Sequence, residues 1–324
     1  MTRRGAIRVA AVDCGTNSLR LLIADVDSQA GELTDLDRRM EIVRLGQGVD
    51  ATGRLAAQAL ARTLGVLEIY ADAIRDASAA VVRMVATSAI RDAANAGEFV
   101  RGVRRILGVA PEVLSGDEEA YLSFAGATRE FAAARPGNPA PPYLVTDIGG
   151  GSTEFVLGAD RPRAAEPVAA LSVDIGCVRM TERHLHADPP LPGEVAAATA
   201  DIDTALDAVA AKVPVTSARA LIGLAGSVTT VAGIALRLPA YDSARIHHAR
   251  IPAAQVHDVA RDLLSRTHAQ RAAIGVMHSG RIDVIGAGAL VLDRVLARFG
   301  FAEVMASEHD ILDGIAWSAA TSSR

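Results

Sequence analysis

The sequence contains few aromatic residues and almost no lysine. Aromatic residues make up 3% of the 324-residue chain, which argues against the stacking platforms that bind single-stranded nucleic acid. The formal net charge of −5 argues against a general polyanion-binding surface. Lys212 is the only lysine, so the basic residues are mostly arginine. This suits bidentate phosphate contacts, although biased genome composition explains it equally well. We expect no nucleic-acid partner, and an anionic substrate would need a local site.

Cysteines and long apolar runs are also scarce. Cys14 and Cys177 are too few for a disulfide framework and lack metal-binding spacing. We expect Cys14 to be a small packed residue. The uncharged run at 220–236 is short for a membrane span. Arg3 and Arg4 lead directly into a β-type run rather than into a signal-peptide core. The sequence therefore predicts a cytoplasmic protein without a membrane partner.

Two glycine-rich turns are each flanked by apolar β-type runs. They read Asp13-Cys14-Gly15-Thr16-Asn17-Ser18 and Asp147-Ile148-Gly149-Gly150-Gly151-Ser152-Thr153-Glu154. When Asp13 is aligned with Asp147, Gly15 falls on Gly149 and the two serines also coincide. No Gly-Lys-Ser/Thr follows either turn, so neither is a P-loop. The pair predicts a duplicated domain whose two hairpins grip one phosphate chain.

The second turn has the chemistry of an anion and metal site. Successive backbone N–H groups in such a turn make a concave anion site. Asp147 and Glu154 are hard oxygen donors of the kind that Mg²⁺ prefers. The alternative is an ordinary glycine-rich hairpin.

Hydrophobic periodicity predicts the other elements. Strands are predicted at 33–43, 81–86, 112–114, 221–224 and 301–306, and helices at 54–76, 95–107, 194–211, 253–266, 281–298 and 311–320. The segment 171–179 is predicted to be a strand that runs into a helix. The proline-rich stretch 132–142 is predicted to be a connecting loop.

Arg91 follows the predicted strand 81–86. Open α/β sheets bind ligands beyond the carboxyl ends of their strands, so Arg91 is a candidate anion ligand. The alternative is a surface ion pair with Asp92.

Local chemistry predicts different roles for the neighbouring acids at 117–119. Ser115 and Glu118 have the spacing of a capping box. That cap uses Glu118 and leaves Glu119 to point elsewhere. The alternative is that all the acids simply favour the start of a helix.

Two later segments remain open. The turn 226–230, Gly-Ser-Val-Thr-Thr, could hold a nucleobase or a phosphate, or serve close packing, which we favour slightly. His247 and His248 lie in a charged stretch with no visible third ligand, so we expect them to be solvated.

Together these motifs resemble the exopolyphosphatase/guanosine pentaphosphate phosphohydrolase (Ppx/GppA) family of the actin–Hsp70–sugar kinase superfamily. The resemblance is carried by both glycine turns, Thr87-Ser88-Ala89-Ile90-Arg91, Ser115-Gly116-Asp117-Glu118-Glu119-Ala120, Gly176-Cys177-Val178 and Gly226-Ser227-Val228-Thr229-Thr230. It implies an α/β protein of two actin-like (ribonuclease H-like) domains with the active site in the cleft between them. Domain I would comprise residues 1–122 and 308–324, because the last helix would return to it, and domain II residues 123–307.

The resemblance also implies the roles of residues. Glu119 would be the catalytic general base, and Asp147 and Glu154, with Asp13 nearby, would hold Mg²⁺, or Mn²⁺ instead. The phosphate-binding residues would be Gly15, Thr16, Asn17, Ser18, Arg91, Gly149, Gly150, Gly151, Ser152 and Thr153.

The implied activity is release of terminal orthophosphate from inorganic polyphosphate. The nearest alternative is a guanosine pentaphosphate 5′-phosphohydrolase, with guanosine penta- or tetraphosphate as partner. A kinase of the superfamily and a nucleotide-binding sensor without useful catalysis are further alternatives. Longer family members carry C-terminal helical domains that are not seen here, so we expect a preference for short chains. We also expect a homodimer.

Overall fold

Two β-sheets organise the chain, one in each of two units. The computed structural model describes residues 5–132, 138–158 and 169–322. Unit 1 comprises Met1–Gly126 and Ile311–Arg324, and unit 2 comprises Ala127–Asp310. The expected domain boundaries near residues 122 and 308 stay a prediction. The predicted loop 132–142 lies partly outside the described residues, since 133–137 are not among them.

The sheet of unit 1 has five strands in the order β3-β2-β1-β4-β5. They are β1 (Ile7–Cys14), β2 (Ser18–Asp27), β3 (Glu32–Ile42), β4 (Val81–Ala86) and β5 (Glu112–Val113). The first three strands pair antiparallel, and β4 runs parallel to both β1 and β5. The predicted first hairpin and its third strand are therefore confirmed.

Helices cover both faces of this sheet. They are α1 (Val49–Thr52), α2 (Ala57–Asp76), α3 (Ser88–Arg91), α4 (Ala96–Leu107), α5 (Gly116–Thr128) and, from the end of the chain, α13 (Ile311–Ser322). Ala10 and Val12 of β1 belong to the apolar cluster with α2 and α4, whereas Val9 and Ala11 belong to the cluster with α13. Burial on both faces explains why β1 is an uninterrupted apolar run instead of an alternating one.

The sheet of unit 2 has six strands in the order β10-β11-β9-β6-β7-β8. They are β6 (Tyr143–Ile148), β7 (Thr153–Gly158), β8 (Ala169–Val173), β9 (Ala220–Leu224), β10 (Arg250–Pro252) and β11 (Glu303–Ala306). Strands β6, β7 and β8 pair antiparallel in succession, and β9 runs parallel to β6 and to β11.

The helices of unit 2 enclose one large apolar core. They are α6 (Cys177–His184), α7 (Pro192–Lys212), α8 (Ala225–Ala235), α9 (Ser243–Ile246), α10 (Ala253–Ser265), α11 (His268–Ala272) and α12 (Ile285–Phe299). Short 3₁₀ turns lie at Arg129–Ala132, Val215–Ser217 and Ser279–Arg281. Among the helices of the described residues, none is both long and apolar enough to cross a membrane.

The two sheets repeat one topology. The order β3-β2-β1-β4-β5 in unit 1 matches β8-β7-β6-β9-β11 in unit 2, and β10 is an added edge strand. The strand directions also match, with two antiparallel pairs followed by two parallel ones. The duplication predicted from the two glycine turns is therefore confirmed.

Some helix boundaries differ from the prediction. The helix expected from residue 54 begins at Ala57, because α1 comes first and ends at Gly53 in the left-handed conformation with φ 63°. The helix expected from residue 281 begins at Ile285. Before it, the side chain of His278 accepts the N–H of Gly280 and caps a 3₁₀ turn. These local caps override the helical periodicity of the flanking residues.

Gly314 of α13 tests how closely the last helix packs on unit 1. A Cβ at this position would lie 2.1 Å from the carbonyl oxygen of Leu122. We expect Gly314→Ala to destabilise the protein by about 1–3 kcal/mol through overpacking. Gly65 of α2 has nothing within 4 Å of its Cβ position, so Gly65→Ala should stabilise by about 0.5–1 kcal/mol. Denaturant unfolding measures the free energy of unfolding of both variants. Equal changes in the two would contradict the close packing of Gly314 against Leu122.

Candidate active site

The two glycine turns close in the same way. In unit 1 the N–H of Gly15 donates to the carbonyl of Ser18 at 3.0 Å. In unit 2 the N–H of Gly149 donates to the carbonyl of Ser152, also at 3.0 Å. The alignment of the two motifs in the sequence therefore corresponds to the same turn geometry.

Several N–H groups in these turns are available to an anion. Within the described part of the chain, the N–H groups of Thr16, Asn17, Gly150 and Gly151 donate to no backbone carbonyl. Such neighbouring N–H groups form the kind of concavity that binds phosphate. This agrees with the prediction that both turns bind phosphate, which stays a prediction for each residue.

The carbonyl and hydroxyl groups of the first turn are held by the surrounding backbone and side chains. The carbonyl of Asn17 accepts the N–H of Val43 at 3.0 Å, and that of Thr16 accepts the N–H of Gly46 at 2.8 Å. The hydroxyls of Thr16 and Ser88 lie 2.8 Å apart in a buried hydrogen bond. These contacts hold the peptide planes in place while leaving the N–H groups unpaired.

The second turn rests on the start of α6. The carbonyl of Gly150 accepts the N–H of Val178 at 2.8 Å, and that of Gly151 accepts Nε of Arg179 at 2.7 Å. A Cβ on Gly176 would lie 2.3 Å from the carbonyl carbon of Gly150. Only glycine fits at this close approach, which gives Gly176 a structural reason to be in the motif.

Two carboxylates face each other across the second hairpin. Asp147 of β6 pairs directly with Glu154 of β7, and these residues are 7% and 1% exposed. Ser172 of β8 donates its hydroxyl to Oε1 of Glu154 at 2.7 Å. Like charges opposite each other repel, so a divalent cation with oxygen ligands suits this pair. Sequence reasoning missed Ser172, whose role follows from its register opposite Glu154.

The first hairpin has an arginine where the second has its glutamate. Asp13 pairs with Arg20 in the β1–β2 ladder, and Arg20 donates from Nε and Nη2 to Oδ2 of Asp13 at 2.9 and 2.6 Å. The charge of Asp13 is thus compensated within its own hairpin. The alignment that superposes Asp13 on Asp147 also superposes Arg20 on Glu154. The sequence therefore already indicated that the first hairpin has an arginine where the second has a glutamate. A metal-binding role for Asp13 stays a prediction.

The capping box uses the carboxylate of Glu118 and not that of Glu119. Glu118 Oε2 accepts the N–H and the hydroxyl of Ser115, both at 2.8 Å, and the N–H of Glu118 donates back to Ser115 Oγ at 3.3 Å. The predicted capping box is confirmed. Glu119, at 8% exposure, takes no part in these bonds.

Arg91 contacts Glu119. Its Nη1 donates to the carbonyl of Leu114 at 2.8 Å and to Oε2 of Glu119 at 3.3 Å. The carboxylate that Arg91 bonds is therefore the proposed base, in place of the neighbouring Asp92 considered from the sequence. A nearby cation favours the charged form of a carboxylate, and that is the form that accepts a proton.

The turn at Gly226 is closely packed. A Cβ on Gly226 would lie 1.0 Å from Nη1 of Arg281, so the guanidinium occupies that space. Tyr241 donates its hydroxyl to Oε1 of Glu308 at 2.6 Å, and its oxygen lies 2.9 Å from Oγ1 of Thr229. The packing interpretation of this turn is favoured over an open nucleobase pocket.

Both cysteines are buried. Burial raises the pKa of the Cys14 thiol well above its usual value, and the negative charge of Asp13 adds to the effect. Burial likewise raises the pKa of Cys177. The thiolate form needed for nucleophilic chemistry is therefore disfavoured at both positions, and Cys14 is the packed residue that we expected.

The expectation that His247 and His248 are solvated was wrong. Their Nε2 atoms lie 3.2 and 2.8 Å from the two oxygens of Glu130, and their side chains are 23% and 33% exposed. In the described ranges these three residues form the only group of three or more His, Cys, Asp or Glu whose candidate ligand atoms lie within 4.8 Å of one another. The third ligand was missed because Glu130 is distant in sequence.

Comparison with known proteins adds to this geometry. Residues 22–322 match the Ppx/GppA phosphatase family.

The chain belongs to the Ppx/GppA phosphatase family.

Three relatives of this Ppx/GppA protein match along nearly their whole length. Exopolyphosphatase 2 of Mycobacterium tuberculosis is 49% identical, over 97% of this chain and 98% of the relative. A crystal structure of an exopolyphosphatase-like protein is 41% identical with a TM-score of 0.92, covering 98% of this chain and 99% of that one. The Aquifex aeolicus Ppx/GppA enzyme is 29% identical with a TM-score of 0.79, covering 97% and 99%. The fold is therefore the two-domain actin-like one.

The capping box supplies a stability prediction for this Ppx/GppA chain. We expect Ser115→Ala to lower the free energy of unfolding by about 0.5–2 kcal/mol, because a helix cap is lost. The bonds from Ser115 hold the pKa of Glu118 below its usual value. Their stabilising contribution is therefore present above the usual pKa of a glutamate and is lost as the pH falls through the lowered value. Urea unfolding at neutral and acidic pH measures the free energy of unfolding of the parent and of Ser115→Ala. If the difference between the two proteins were the same at both pH values, the predicted pH dependence would be wrong.

Proposed function

We propose that this chain is an exopolyphosphatase that releases orthophosphate from the end of inorganic polyphosphate. The observation that carries the proposal is the 49% identity to an exopolyphosphatase over nearly the full length of both chains. In the reaction, water adds to the terminal phosphorus and the P–O bond to the bridging oxygen breaks. The products are orthophosphate and a chain shortened by one unit.

Glu119 is the proposed general base. The capping box occupies Glu118 and leaves Glu119 beside Arg91. A carboxylate held in its charged form can take the proton of the attacking water as the new P–O bond forms. A hydrolase of this type relies mainly on positioning and on charge stabilisation. Glu119 therefore supplies the proton acceptor, and the turns supply the positioning.

The two glycine turns are proposed to bind the phosphates. The N–H groups of Thr16, Asn17, Gly150 and Gly151 lack backbone partners in the described residues and can donate to phosphoryl oxygens. Gly15, Ser18, Gly149, Ser152 and Thr153 complete the proposed set. Arg91 adds a cation, although its contact with Glu119 means that it would bind phosphate and base together.

The paired acids of the second hairpin fit a hard divalent cation, with Mg²⁺ first and Mn²⁺ as the alternative. Asp147 and Glu154 would hold it, and a contribution from Asp13 stays a prediction. Such an ion withdraws charge from phosphoryl oxygens when it is bound. Ser172 orients Glu154 through its 2.7 Å hydrogen bond, and Arg20 already neutralises Asp13. The donor set of the second hairpin therefore fits the ion better than that of the first.

The guanosine pentaphosphate alternative is less well supported. Two relatives above 40% identity are named an exopolyphosphatase and an exopolyphosphatase-like protein. In addition, Arg281 fills the space beside Gly226 where a base pocket was considered. A homodimer and a cytoplasmic location remain predictions.

Glu119→Gln should abolish most of the turnover. Loss of a proton-transfer group typically costs about 10²–10⁴-fold in rate, and the substitution keeps the shape of the side chain. The measurement is orthophosphate release from short and long polyphosphates and from guanosine pentaphosphate, with Mg²⁺ present.

Glu118→Gln is the matched control. Glutamine can also complete a capping box, so this variant should keep both its fold and its rate. Equal rates for the parent and Glu119→Gln would remove Glu119 from the mechanism. Orthophosphate release from guanosine pentaphosphate alone would make that nucleotide, and not polyphosphate, the substrate.

Ser172→Ala should weaken the response to Mg²⁺. Removing a hydrogen bond to a metal-binding carboxylate typically costs about 10–100-fold in affinity or activity. We expect the Mg²⁺ concentration for half-maximal rate to rise about tenfold or more, with the fold intact. Thr199→Ala is the control, because its hydroxyl bonds only the carbonyl of Val195 within α7. A Mg²⁺ dependence that is the same in parent and Ser172→Ala would contradict the assignment of Glu154.

A further inference from the structure

Glu130 is surrounded by imidazole rings. His247 and His248 approach its two oxygens from Nε2 at 3.2 and 2.8 Å, and Nδ1 of His309 lies 3.4 Å from Oε1. Three of the eight histidines of the chain thus meet at one carboxylate. Other histidines of unit 2 pair singly with an acid, as His257 does with Asp293.

We propose that Glu130, His247 and His248 form a binding site for a divalent transition metal such as Zn²⁺. Two imidazole nitrogens and one carboxylate are a donor set that suits zinc, whereas Mg²⁺ prefers oxygen ligands. This site is therefore chemically distinct from the paired acids of the second hairpin.

The spacing of the donor atoms fits a small tetrahedral ion. With metal–ligand bonds of about 2.0–2.1 Å, tetrahedral ligands lie about 3.3 Å apart. The Nε2 atoms of His247 and His248 lie 3.2 and 2.8 Å from different oxygens of Glu130, which is inside this separation, and the candidate ligand atoms all lie within 4.8 Å of one another. A small outward movement of the rings admits the ion, and a water molecule completes the coordination as in open zinc sites.

The surroundings hold the three side chains together while leaving them accessible. Phe131 lies next to Glu130 in the chain, and its ring packs 5.1 Å from that of His248 and 5.5 Å from that of Tyr143 at the start of β6. The side chain of Glu130 is 28% exposed. An ion can therefore reach the site from solvent.

One contact must change when the metal binds. The N–H of Glu308 donates to Nδ1 of His247 at 3.2 Å, so the proton of this ring lies on Nε2 and points to Glu130. A metal on Nε2 requires the proton on Nδ1. Metal binding is thus coupled to a rearrangement at Glu308.

The site joins segments that are far apart in sequence. Glu130 lies in the 3₁₀ turn Arg129–Ala132, and the two histidines follow α9. Bound metal would connect these segments within unit 2 and raise its resistance to unfolding, because a ligand that binds only the native state stabilises it.

The test is a Co²⁺ titration of the full chain in excess Mg²⁺, followed by displacement with Zn²⁺. We expect one Co²⁺ per chain with the intense visible absorption of tetrahedral coordination, and a rise in Tm with Zn²⁺. Glu130→Gln and His248→Asn should bind at least about tenfold more weakly. His257→Asn is the matched control, since His257 pairs with Asp293 and should leave binding unchanged.

Asp147→Asn separates this site from the proposed catalytic one. It should abolish the response of activity to Mg²⁺ and leave the Co²⁺ absorption intact. Loss of the absorption in this variant would place the metal at the second hairpin and overturn the proposal. No tetrahedral absorption in the parent, or full absorption in Glu130→Gln, would overturn it as well.

A measurement on the parent avoids variants that fail to fold. Zn²⁺ should protect His247 and His248 from diethylpyrocarbonate, as read by peptide mass spectrometry. His257, with its side chain 60% exposed, should react equally with and without Zn²⁺. Equal modification of all three histidines in both conditions would overturn the site.

Discussion

The register of the β6–β7 ladder is the constraint on which the proposed site depends. It places Asp147 directly opposite Glu154, and the turn between them is closed by the bond from Gly149 to Ser152. A shift of one residue would turn one acid to the other face of the sheet. The shared face brings together two acids that are seven positions apart in the chain and makes them the proposed metal-binding pair. The same turn supplies the N–H groups that are proposed to bind phosphate.

The duplicated hairpins have diverged in charge while keeping one geometry. Both turns close with the same bond, and both sheets share one strand order. Where the second hairpin has Glu154, the first has Arg20, which neutralises Asp13. Two buried acids that face each other repel, and a bound cation would offset that repulsion, whereas an acid facing an arginine is already compensated. The proposed metal is thus assigned mainly to unit 2, and the proposed base, Glu119, lies in unit 1.

Helix capping decides which of two adjacent acids is available for chemistry. Glu118 is bound to Ser115 by three hydrogen bonds, so its carboxylate stabilises the start of α5. Glu119 instead contacts Arg91, whose guanidinium is anchored on the carbonyl of Leu114. An arginine that contacts the base can also contact a phosphate, which would couple substrate binding to the position of the base.

The sequence by itself determined the two hairpins, their duplication and the capping box, because these depend on local turn chemistry and on short-range periodicity. It also indicated Glu119 as the acid available for chemistry, because the capping box uses Glu118 and not Glu119. Only the tertiary structure decided the partners that lie far apart in the chain. The cluster of Glu130 with His247 joins residues 117 positions apart, and no local pattern records that distance. Ser172 reaches Glu154 through strand register. Arg91, the last residue of α3, reaches Glu119 in the first turn of α5. Such pairings are fixed by how sheets and helices pack, so they follow from the fold and not from any single stretch of residues.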